Sequence, residues 1–190
     1  EHVNAKYPQL KLESKIYNKL NGEKGIAKCY YYGIEENYKV LVLEYLTTSV
    51  SDLFTANNKQ FTTKMVAHIG SSMVDILRRV HNKGILHRDM KPENMMIDES
   101  NNVYLIDFGL SKPYVVKNKI IPFQKNRSLC GTPRYASINA HKGYVQSRRD
   151  DLQSLAYILI YFLRGGNLPW QGIPAKGKRK INQEIYRMKA

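Results

Sequence analysis

The sequence predicts an α+β protein, because helical patterns alternate with two short hairpins. From Thr62 to Asn82 apolar residues recur every three or four positions, as they do in an amphipathic helix. Two pairs of apolar runs, at 29–45 and 95–106, are each interrupted by a polar turn, which predicts hairpins. With 190 residues, 43% of them apolar, the chain can form one core or part of one.

The start of the chain predicts a helix followed by a hairpin. Apolar residues of 8–20 lie near helical spacing, with Pro at the start and Gly22 just past the end. This places Glu13 near the middle of the helix. The aromatic or β-branched runs 29–33 and 38–45 then predict an antiparallel pair of strands.

Residues 46–58 are expected to be a polar connection into the helix of 62–82. The hairpin at 95–106 has Asn94 and Asp107 at its two outer ends, so we expect these polar residues to lie close together. Residues 108–150 show little periodicity, as a long functional loop would.

A final helix is predicted at 151–163. It is apolar nearly all round, which is typical of a buried helix. Its nine-residue apolar run, Leu155 to Leu163, is too short to span a bilayer, and no signal peptide opens the chain. Cys29 and Cys130 lie far apart without metal-ligand spacing, so neither a disulfide framework nor a zinc site is expected. These features favour an intracellular protein of the cytoplasm and/or nucleus.

The formal charge of +14 suits a polyanionic partner. Nucleic acid, an anionic membrane surface and acidic or phosphorylated protein all meet this description, and charge alone does not choose among them. The sequence does not indicate an oligomeric state.

The polar motif His87-Arg88-Asp89-Met90-Lys91-Pro92-Glu93-Asn94 is followed by Asp107-Phe108-Gly109. These residues suit phosphoryl transfer, which needs positioning and charge neutralisation more than covalent work by the protein. Asp89 can orient a substrate hydroxyl, and Lys91 can reach the γ-phosphate. Asn94 and Asp107 are oxygen ligands of the kind Mg²⁺ selects. Gly109 is expected to let the backbone turn after the metal ligand.

These motifs resemble those of protein kinases. Within the kinases, the chain resembles the casein kinase 1 family, because Ser137-Ile138-Asn139 stands where most kinases have Ala-Pro-Glu. The resemblance covers the whole chain, and the following segments also carry it: Gly131-Thr132-Pro133-Arg134-Tyr135-Ala136, Ser147-Arg148-Arg149-Asp150-Asp151-Leu152 and Leu168-Pro169-Trp170-Gln171-Gly172.

The resemblance implies a protein-kinase-like fold, mostly the helical C-lobe with a partial N-lobe. Residues 1–190 would be a partial kinase domain, with 1–45 the remnant of the N-lobe and hinge and 46–190 an incomplete C-lobe. The implied cofactors are ATP and Mg²⁺. Glu13 would be the carboxylate that pairs with an ATP-binding lysine, and Asp151 would brace the catalytic loop.

The resemblance also implies a nucleotide site. Leu43 would be the gatekeeper, and Glu44 to Leu46 would be the hinge that holds adenine. Met96 and Ile106 would line the floor of the site and the pocket behind it. Plain core packing explains the apolar residues of this set equally well from the sequence alone.

The implied reaction transfers the γ-phosphoryl group to Ser or Thr of acidic or already phosphorylated proteins. Arg134 is the candidate substrate-anion residue, because a guanidinium binds phosphate bidentately. Arg148, Lys176 and 178–180 are expected to supplement it. The alternative for 178–180 is an ordinary solvated face.

No Gly-x-Gly-x-x-Gly occurs in the sequence. By the family's layout this loop and the lysine would precede Glu1, and the last helices would follow Ala190. We therefore expect the full gene product to be active and the 190-residue chain alone to be nearly inactive. The hairpin at 29–45 would also leave an open sheet edge that is prone to association.

Two other functions stay open. An inert kinase fragment or pseudokinase could act as a binding module. A nucleic-acid-binding protein is suggested only by the charge, and nucleic acid is not the expected partner.

Overall fold

A computed structural model describes residues 1–116, 119–174 and 177–190. Its elements confirm a mixed α+β architecture. The helices are α1 (Leu10–Lys19), α2 (Val50–Ala56), α3 (Thr63–Asn82), α4 (Ile138–His141), α5 (Arg148–Leu163) and α6 (Lys178–Lys189). The strands are β1 (Cys29–Glu35), β2 (Tyr38–Leu43), β3 (Thr48–Ser49), β4 (Ile85–Leu86), β5 (Met95–Ile97), β6 (Val103–Leu105), β7 (Lys112–Pro113), β8 (Val115–Val116) and β9 (Lys119–Ile120). A single 3₁₀ turn covers Pro92–Asn94 among these residues.

The first hairpin forms as predicted, with β1 antiparallel to β2. The outer edge of β2 is partly paired with the start of the chain, since the Lys39 amide donates to the Glu1 carbonyl at 2.7 Å and the Val3 amide donates to Asn37 at 2.8 Å. In the described part of the chain β1 has no further strand beside it. Association through this edge stays a prediction.

The second hairpin, β5 with β6, also forms as predicted. At its open end the Ile106 amide donates to the Asn94 carbonyl at 3.0 Å, so the chain segments that carry Asn94 and Asp107 meet there. On its other side β5 pairs with β3 in a three-stranded sheet.

Helix α3 forms much of the core, as its periodicity predicts. It begins at a Thr62 cap, whose hydroxyl accepts a hydrogen bond from the Met65 amide at 3.2 Å. One face packs against α5 at a glycine, because a Cβ on Gly70 would lie 3.0 Å from a Leu159 methyl. The buried residues of this face are Val66, Ile69, Gly70, Met73, Ile76, Leu77, Val80 and His81.

The prediction that the helix at 151–163 is buried all round is wrong for one face. Leu155, Ile158 and Phe162 are at most 2% exposed, but Ile160 is 43% exposed and Leu163 is 55% exposed. The physical reason is that a single partner helix covers one side of a cylinder. Among the described elements α3 is the main neighbour of α5.

The prediction of a polar connection at 46–58 is also wrong, because this segment contains β3 and α2. The Ser49 hydroxyl accepts a hydrogen bond from the Asp52 amide at 3.0 Å and so caps α2. Phe54, which is 2% exposed, anchors this short helix against Phe61 and Phe162 at centroid distances of 4.8 and 4.9 Å.

Two further parts of the chain are more ordered than expected. The loop of 108–150 contains β7, β8, β9 and α4, and the tail contains α6. Ile185 of α6 is 6% exposed. The helix is therefore held on the protein by burial of one side, and its basic cluster lies in the exposed first turn. None of the described helices is long and apolar enough to cross a membrane.

Candidate active site

The loop that follows β4 is held by the first turn of α5. The Asp151 carboxylate accepts hydrogen bonds from the His87 amide at 3.0 Å and the Arg88 amide at 2.9 Å, and it bonds the His81 imidazole at 2.8 Å. Arg88 has a left-handed φ of 69°, a conformation that non-glycine residues adopt at a cost. Asp151 thus fixes a strained loop, and its geometry agrees with the bracing role that the resemblance implies.

Asp89 lies between two donors on the inner side of this loop. Its Oδ2 accepts from the Lys91 ammonium at 2.9 Å, and its Oδ1 accepts from both the amide and the hydroxyl of Thr132 at 2.8 Å. Burial by itself raises the pKa of Asp89, but the Lys91 and Thr132 hydrogen bonds outweigh it and hold the pKa below its ordinary value. Asp89 is therefore a carboxylate at neutral pH.

The Lys91 ammonium reaches from one carboxylate to another. It lies 2.9 Å from Asp89 Oδ2 and 3.7 Å from Asp107 Oδ2. Burial lowers the pKa of Lys91, yet the Asp89 hydrogen bond and the nearby carboxylates raise it above its ordinary value overall. The ammonium therefore stays charged between Asp89, the predicted catalytic carboxylate, and Asp107, a predicted metal ligand.

Asn94 and Asp107 are the predicted metal ligands. The Asn94 amide nitrogen donates to the Asp89 carbonyl at 3.0 Å, which leaves Oδ1 as the atom available to a cation. The Asp107 side chain is 44% exposed. In the described parts of the chain no group of three or more His, Cys, Asp or Glu side chains is arranged to hold a metal. Two oxygen ligands still fit Mg²⁺, because this ion usually keeps waters and substrate phosphate oxygens in its shell.

The backbone turns at Gly109 and Leu110, as expected, and the Ser111 amide donates to the Phe108 carbonyl at 3.0 Å across this turn. The left-handed φ of 63° belongs to Asp107, whereas Gly109 is not among the residues with positive φ. Gly109 also permits close approach, since a Cβ there would lie 3.0 Å from Gln9 Oε1 and 3.2 Å from Asp107 Oδ1. The Gly109 amide donates to Asp107 Oδ1 at 3.2 Å, which orients the carboxylate.

Phe108 connects this loop to α1. Its ring is fully buried and packs edge-on against Tyr17 at 5.1 Å and His87 at 5.2 Å between centroids. Its amide donates to Glu13 Oε1 at 3.1 Å, and the Asp107 amide donates to the Tyr17 hydroxyl at 3.2 Å. Helix α1 thus places Glu13 against the predicted metal-binding loop.

Glu13 is a partly buried carboxylate. Burial and the nearby Asp107 charge raise its pKa, against the hydrogen bond from Phe108. Within the described residues no lysine or arginine forms an ion pair with Glu13.

The predicted nucleotide-binding residues lie at the end of β2 and just after it, in β5, and just after β6. Leu43, Met96 and Ile106 are half-buried against the core, and Leu46 is 8% exposed. The Glu44 amide donates a hydrogen bond to the Lys28 carbonyl at 2.8 Å. Among the described residues the Leu46 amide and the Glu44 carbonyl have no backbone partner, so both are available to a ligand. The apolar side chains at these positions can pack on the core and still contact a bound nucleotide.

A cleft of about 600 Å³ begins beside Asp89 and is named here the Arg134 cleft. The Trp170 indole donates to the Arg134 carbonyl at 2.7 Å and fixes this backbone. The cleft is lined by Lys91, Glu93, Thr132, Pro133, Arg134, Tyr135, Trp170, Gln171, Gly172, Ile173, Ile181 and Ile185. Arg134 therefore shares one cleft with Lys91, as expected for a residue that contacts substrate.

Among the described residues, Arg148 and 178–180, which were expected to supplement Arg134, do not line this cleft. The Arg148 guanidinium lies over the Tyr114 ring at 5.4 Å. Residues 178–180 are exposed in the first turn of α6, and Lys176 lies outside the described residues.

Lys189 is a supporting residue that the sequence did not indicate. Its ammonium donates to the Pro133 carbonyl at 2.9 Å and the Ala136 carbonyl at 2.7 Å, and it lies 5.1 Å from the Trp170 ring. Burial lowers its pKa to about 7. A lone lysine near the end of a basic helix carries no local signal of such a contact.

Comparison with known families agrees with this geometry. The family model described as "protein kinase domain" matches residues 1–190. The chain belongs to the protein kinase domain family. Members of this family generally use ATP and Mg²⁺, and they act on protein substrates.

Proposed function

We propose that this chain is the catalytic part of a serine/threonine kinase of the casein kinase 1 type. It acts on acidic or already phosphorylated proteins. The observation that carries the proposal is the Asp89 carboxylate, which is held by Lys91 and Thr132, two residues that line the Arg134 cleft. The Ser137-Ile138-Asn139 sequence supports the family assignment.

The residues present can perform the protein's part of phosphoryl transfer. Asp89, ionised and fixed by three hydrogen bonds, orients the substrate hydroxyl and accepts its proton as the new O–P bond forms. Lys91 offsets charge on the transferred group. Bound Mg²⁺, which Asn94 and Asp107 would hold, supplies further charge neutralisation on the phosphates.

The proposal extends to the nucleotide and the domain layout. The Leu46 amide and the Glu44 carbonyl would hold adenine, with Leu43 as the gatekeeper. Met96 and Ile106 would line the floor of the site and the pocket behind it. Residues 1–45 would belong to the N-lobe and hinge, and 46–190 to the C-lobe. The position of Glu13, 3.1 Å from the Phe108 amide, supports this layout, because a pairing lysine would then act beside the metal ligands.

The substrate preference is inferred from Arg134. Its guanidinium is exposed in the cleft and lies 5.8 Å from the Tyr135 ring, which supports the side chain without neutralising it. Glu93 also lines the cleft, so the charge there is mixed, and Arg134 provides the bidentate site for phosphate.

The test is a transfer assay on the full gene product with ATP and Mg²⁺. Three matched peptides are compared: a serine peptide with an upstream phosphoserine, its unphosphorylated form, and a tyrosine peptide. We expect preference for the first. Asp89→Asn should lower kcat by about 10²–10⁴-fold, the usual contribution of a general base. Arg134→Ala should raise KM for the phosphorylated peptide only.

Arg148→Ala is the control, because it removes the same charge away from the cleft. Transfer that survives Asp89→Asn, or a preference for tyrosine, would contradict the proposal. Nucleotide or peptide binding without any transfer would favour the binding-module alternative.

A further inference from the structure

A second cationic cleft lies on the other side of α6 and is named here the Arg127 cleft. Its volume is about 630 Å³. Its lining residues are Asn126, Arg127, Ser128, Leu129, His141, Lys142, Gly143, Arg179, Asn182, Gln183 and Tyr186, none of which is acidic. The site described above uses none of them.

The cations come from three separate parts of the chain. Arg127 precedes the Thr132 loop, Lys142 ends α4, and Arg179 lies in the first turn of α6. In the part of the chain that the structure describes, none of the three forms an ion pair with a carboxylate. Their charges are therefore available to a ligand that enters the cleft.

The backbone segments at Arg127 and Gly143, which form one wall of the cleft, are tightly packed against each other. The Arg127 amide donates to the Gly143 carbonyl at 2.9 Å, and a Cβ on Gly143 would lie 2.7 Å from the Arg127 carbonyl oxygen. Gly143 also has a left-handed φ of 70°, so glycine is needed there for two reasons. Lys142 lies 6.0 Å from the Tyr186 ring, which keeps its ammonium near α6.

Neutral donors complete the site. Asn182 and Gln183 offer amide groups and Tyr186 and Ser128 offer hydroxyls around the cations. Burial and the Lys189 charge lower the pKa of His141 to about 4, so this residue is neutral at pH 7. The charge of the cleft thus comes from two guanidinium groups and one ammonium, a set that suits a phosphate dianion.

The two clefts share a wall. His141 lines the Arg127 cleft and its imidazole bonds the carbonyl of Pro133, which lines the Arg134 cleft. On α6, Ile181 and Ile185 face one cleft, while Arg179 and Gln183 face the other. One protein segment could therefore place separate groups on the two sides of this wall.

We propose that the Arg127 cleft is a second phosphate-binding site, which takes a phosphorylated side chain of a protein. This inference rests on the proposed function only in taking phosphoprotein as the ligand. A nucleic acid is disfavoured because the three cations line one discrete cleft next to the peptide site.

The test measures binding of a fluorescent phosphoserine peptide to the 190-residue protein by anisotropy and so does not need catalysis. All proteins carry Arg134→Ala, so that the Arg134 cleft does not contribute. The double variant Lys142→Ala/Arg179→Ala is compared with Lys178→Ala/Lys180→Ala. Both doubles remove two exposed cations, but Lys178 and Lys180 do not line the cleft.

We expect the cleft variant to weaken phosphopeptide binding at least about tenfold, and the control double to change it less than about twofold. The unphosphorylated peptide should bind far more weakly to the parent protein. Thermal unfolding should be similar for both doubles, because all four side chains are exposed.

Equal weakening by the two doubles would overturn the proposal in favour of diffuse charge. Loss of all phosphopeptide binding with Arg134→Ala alone would assign the phosphate to the Arg134 cleft. A single-stranded DNA of equal charge is tested in the same way. If the cleft variant weakens DNA binding and the control double does not, while the phosphopeptide shows no such difference, the cleft would be assigned to nucleic acid. Cleft-dependent phosphopeptide binding by the 190-residue chain, together with no transfer by the full gene product, would contradict the proposed function and leave this inference standing.

Discussion

At the scale of single residues, Thr132 has the clearest role that the motifs did not reveal. Both its amide and its hydroxyl donate to Asp89 Oδ1 at 2.8 Å. These hydrogen bonds and the one from Lys91 account for the lowered pKa of Asp89. Thr132 therefore positions the carboxylate that is proposed to orient the substrate.

Thr132→Val should lower kcat of the full gene product by about tenfold or more, because one hydrogen bond to a charged group is lost. KM for ATP should change little. Thr132→Ser keeps the hydroxyl and should stay near wild type. Steady-state kinetics on the serine peptide provides the measurement. An equal loss in the serine variant would mean that packing of the Thr132 methyl, and not the hydrogen bond, is responsible.

Glu13 permits a prediction about pH. Its pKa is raised in the folded chain, so the folded state binds the proton more tightly than the unfolded state. The free energy of unfolding then falls as pH rises from the ordinary value of 4.5 through the folded pKa. Ionised Glu13 destabilises the fold at neutral pH.

Glu13→Gln in the 190-residue chain should therefore raise the unfolding temperature at pH 7. The difference should shrink toward pH 4, where wild-type Glu13 is protonated in both states. Glutamine retains an oxygen for the Phe108 amide, which isolates the effect of charge. Calorimetry at several pH values measures it. A constant difference across this range would show that the charge of Glu13 is not the cause.

At the scale of elements, α5 performs two tasks on different faces. Its first turn carries Asp151, which holds the loop that follows β4, and its inner face carries Leu155, Ile158 and Phe162. On the outer face, Ile160 and Leu163 are about half exposed. Apolar residues thus lie all around the helix, but those on the inner face contribute more to stability than those on the outer face.

Leu155→Ala and Ile160→Ala form a matched pair on this helix. Leu155 is 2% exposed and Ile160 is 43% exposed. We expect Leu155→Ala to cost about 2–5 kcal/mol of unfolding free energy, through lost burial and a cavity. Ile160→Ala should cost less than about 1 kcal/mol. Urea unfolding midpoints provide the comparison, and equal costs would show that the outer face is covered in solution.

At the scale of the whole molecule, the charge of +14 destabilises the compact state through self-repulsion. Individual surface ion pairs, such as Lys83 with Glu23 at 2.9 Å, offset little of this repulsion. Salt should screen this repulsion, because the Debye length falls from about 30 Å at 0.01 M to about 8 Å at 0.15 M.

The unfolding temperature of the 190-residue chain should therefore rise between low and physiological NaCl concentration. We expect about 2–4 °C, which corresponds to about 1 kcal/mol for a chain of this size. KCl at equal ionic strength is the control and should act equally. A fall with added salt would mean that ion pairs outweigh the repulsion. A larger rise with phosphate would indicate specific anion binding.

Predictions from the sequence were most accurate where the signal is local. The α1, α3 and hairpin patterns each repeat within a few neighbouring residues, and the motifs from His87 to Asn94 and at Asp107 are contiguous. Helix α2 was missed because it is short and has only two buried residues, Val50 and Phe54, and the contacts of Phe54 with Phe61 and Phe162 are formed only in the folded chain. Helix α6 was missed because its basic residues conceal one buried position, Ile185.

The sequence by itself indicated a protein kinase, which the family match confirms. It also predicts a carboxylate, a lysine and two oxygen ligands as the groups that carry the chemistry. Only the tertiary structure decided how these groups are held. Asp151 meets His81 across 70 residues, and Thr132 meets Asp89 across 43 residues. It also decided which face of α5 is buried and that two separate clefts flank α6. The physical reason is that hydrogen bonds and packing depend on distance in space, and a local pattern carries no information about partners this far along the chain.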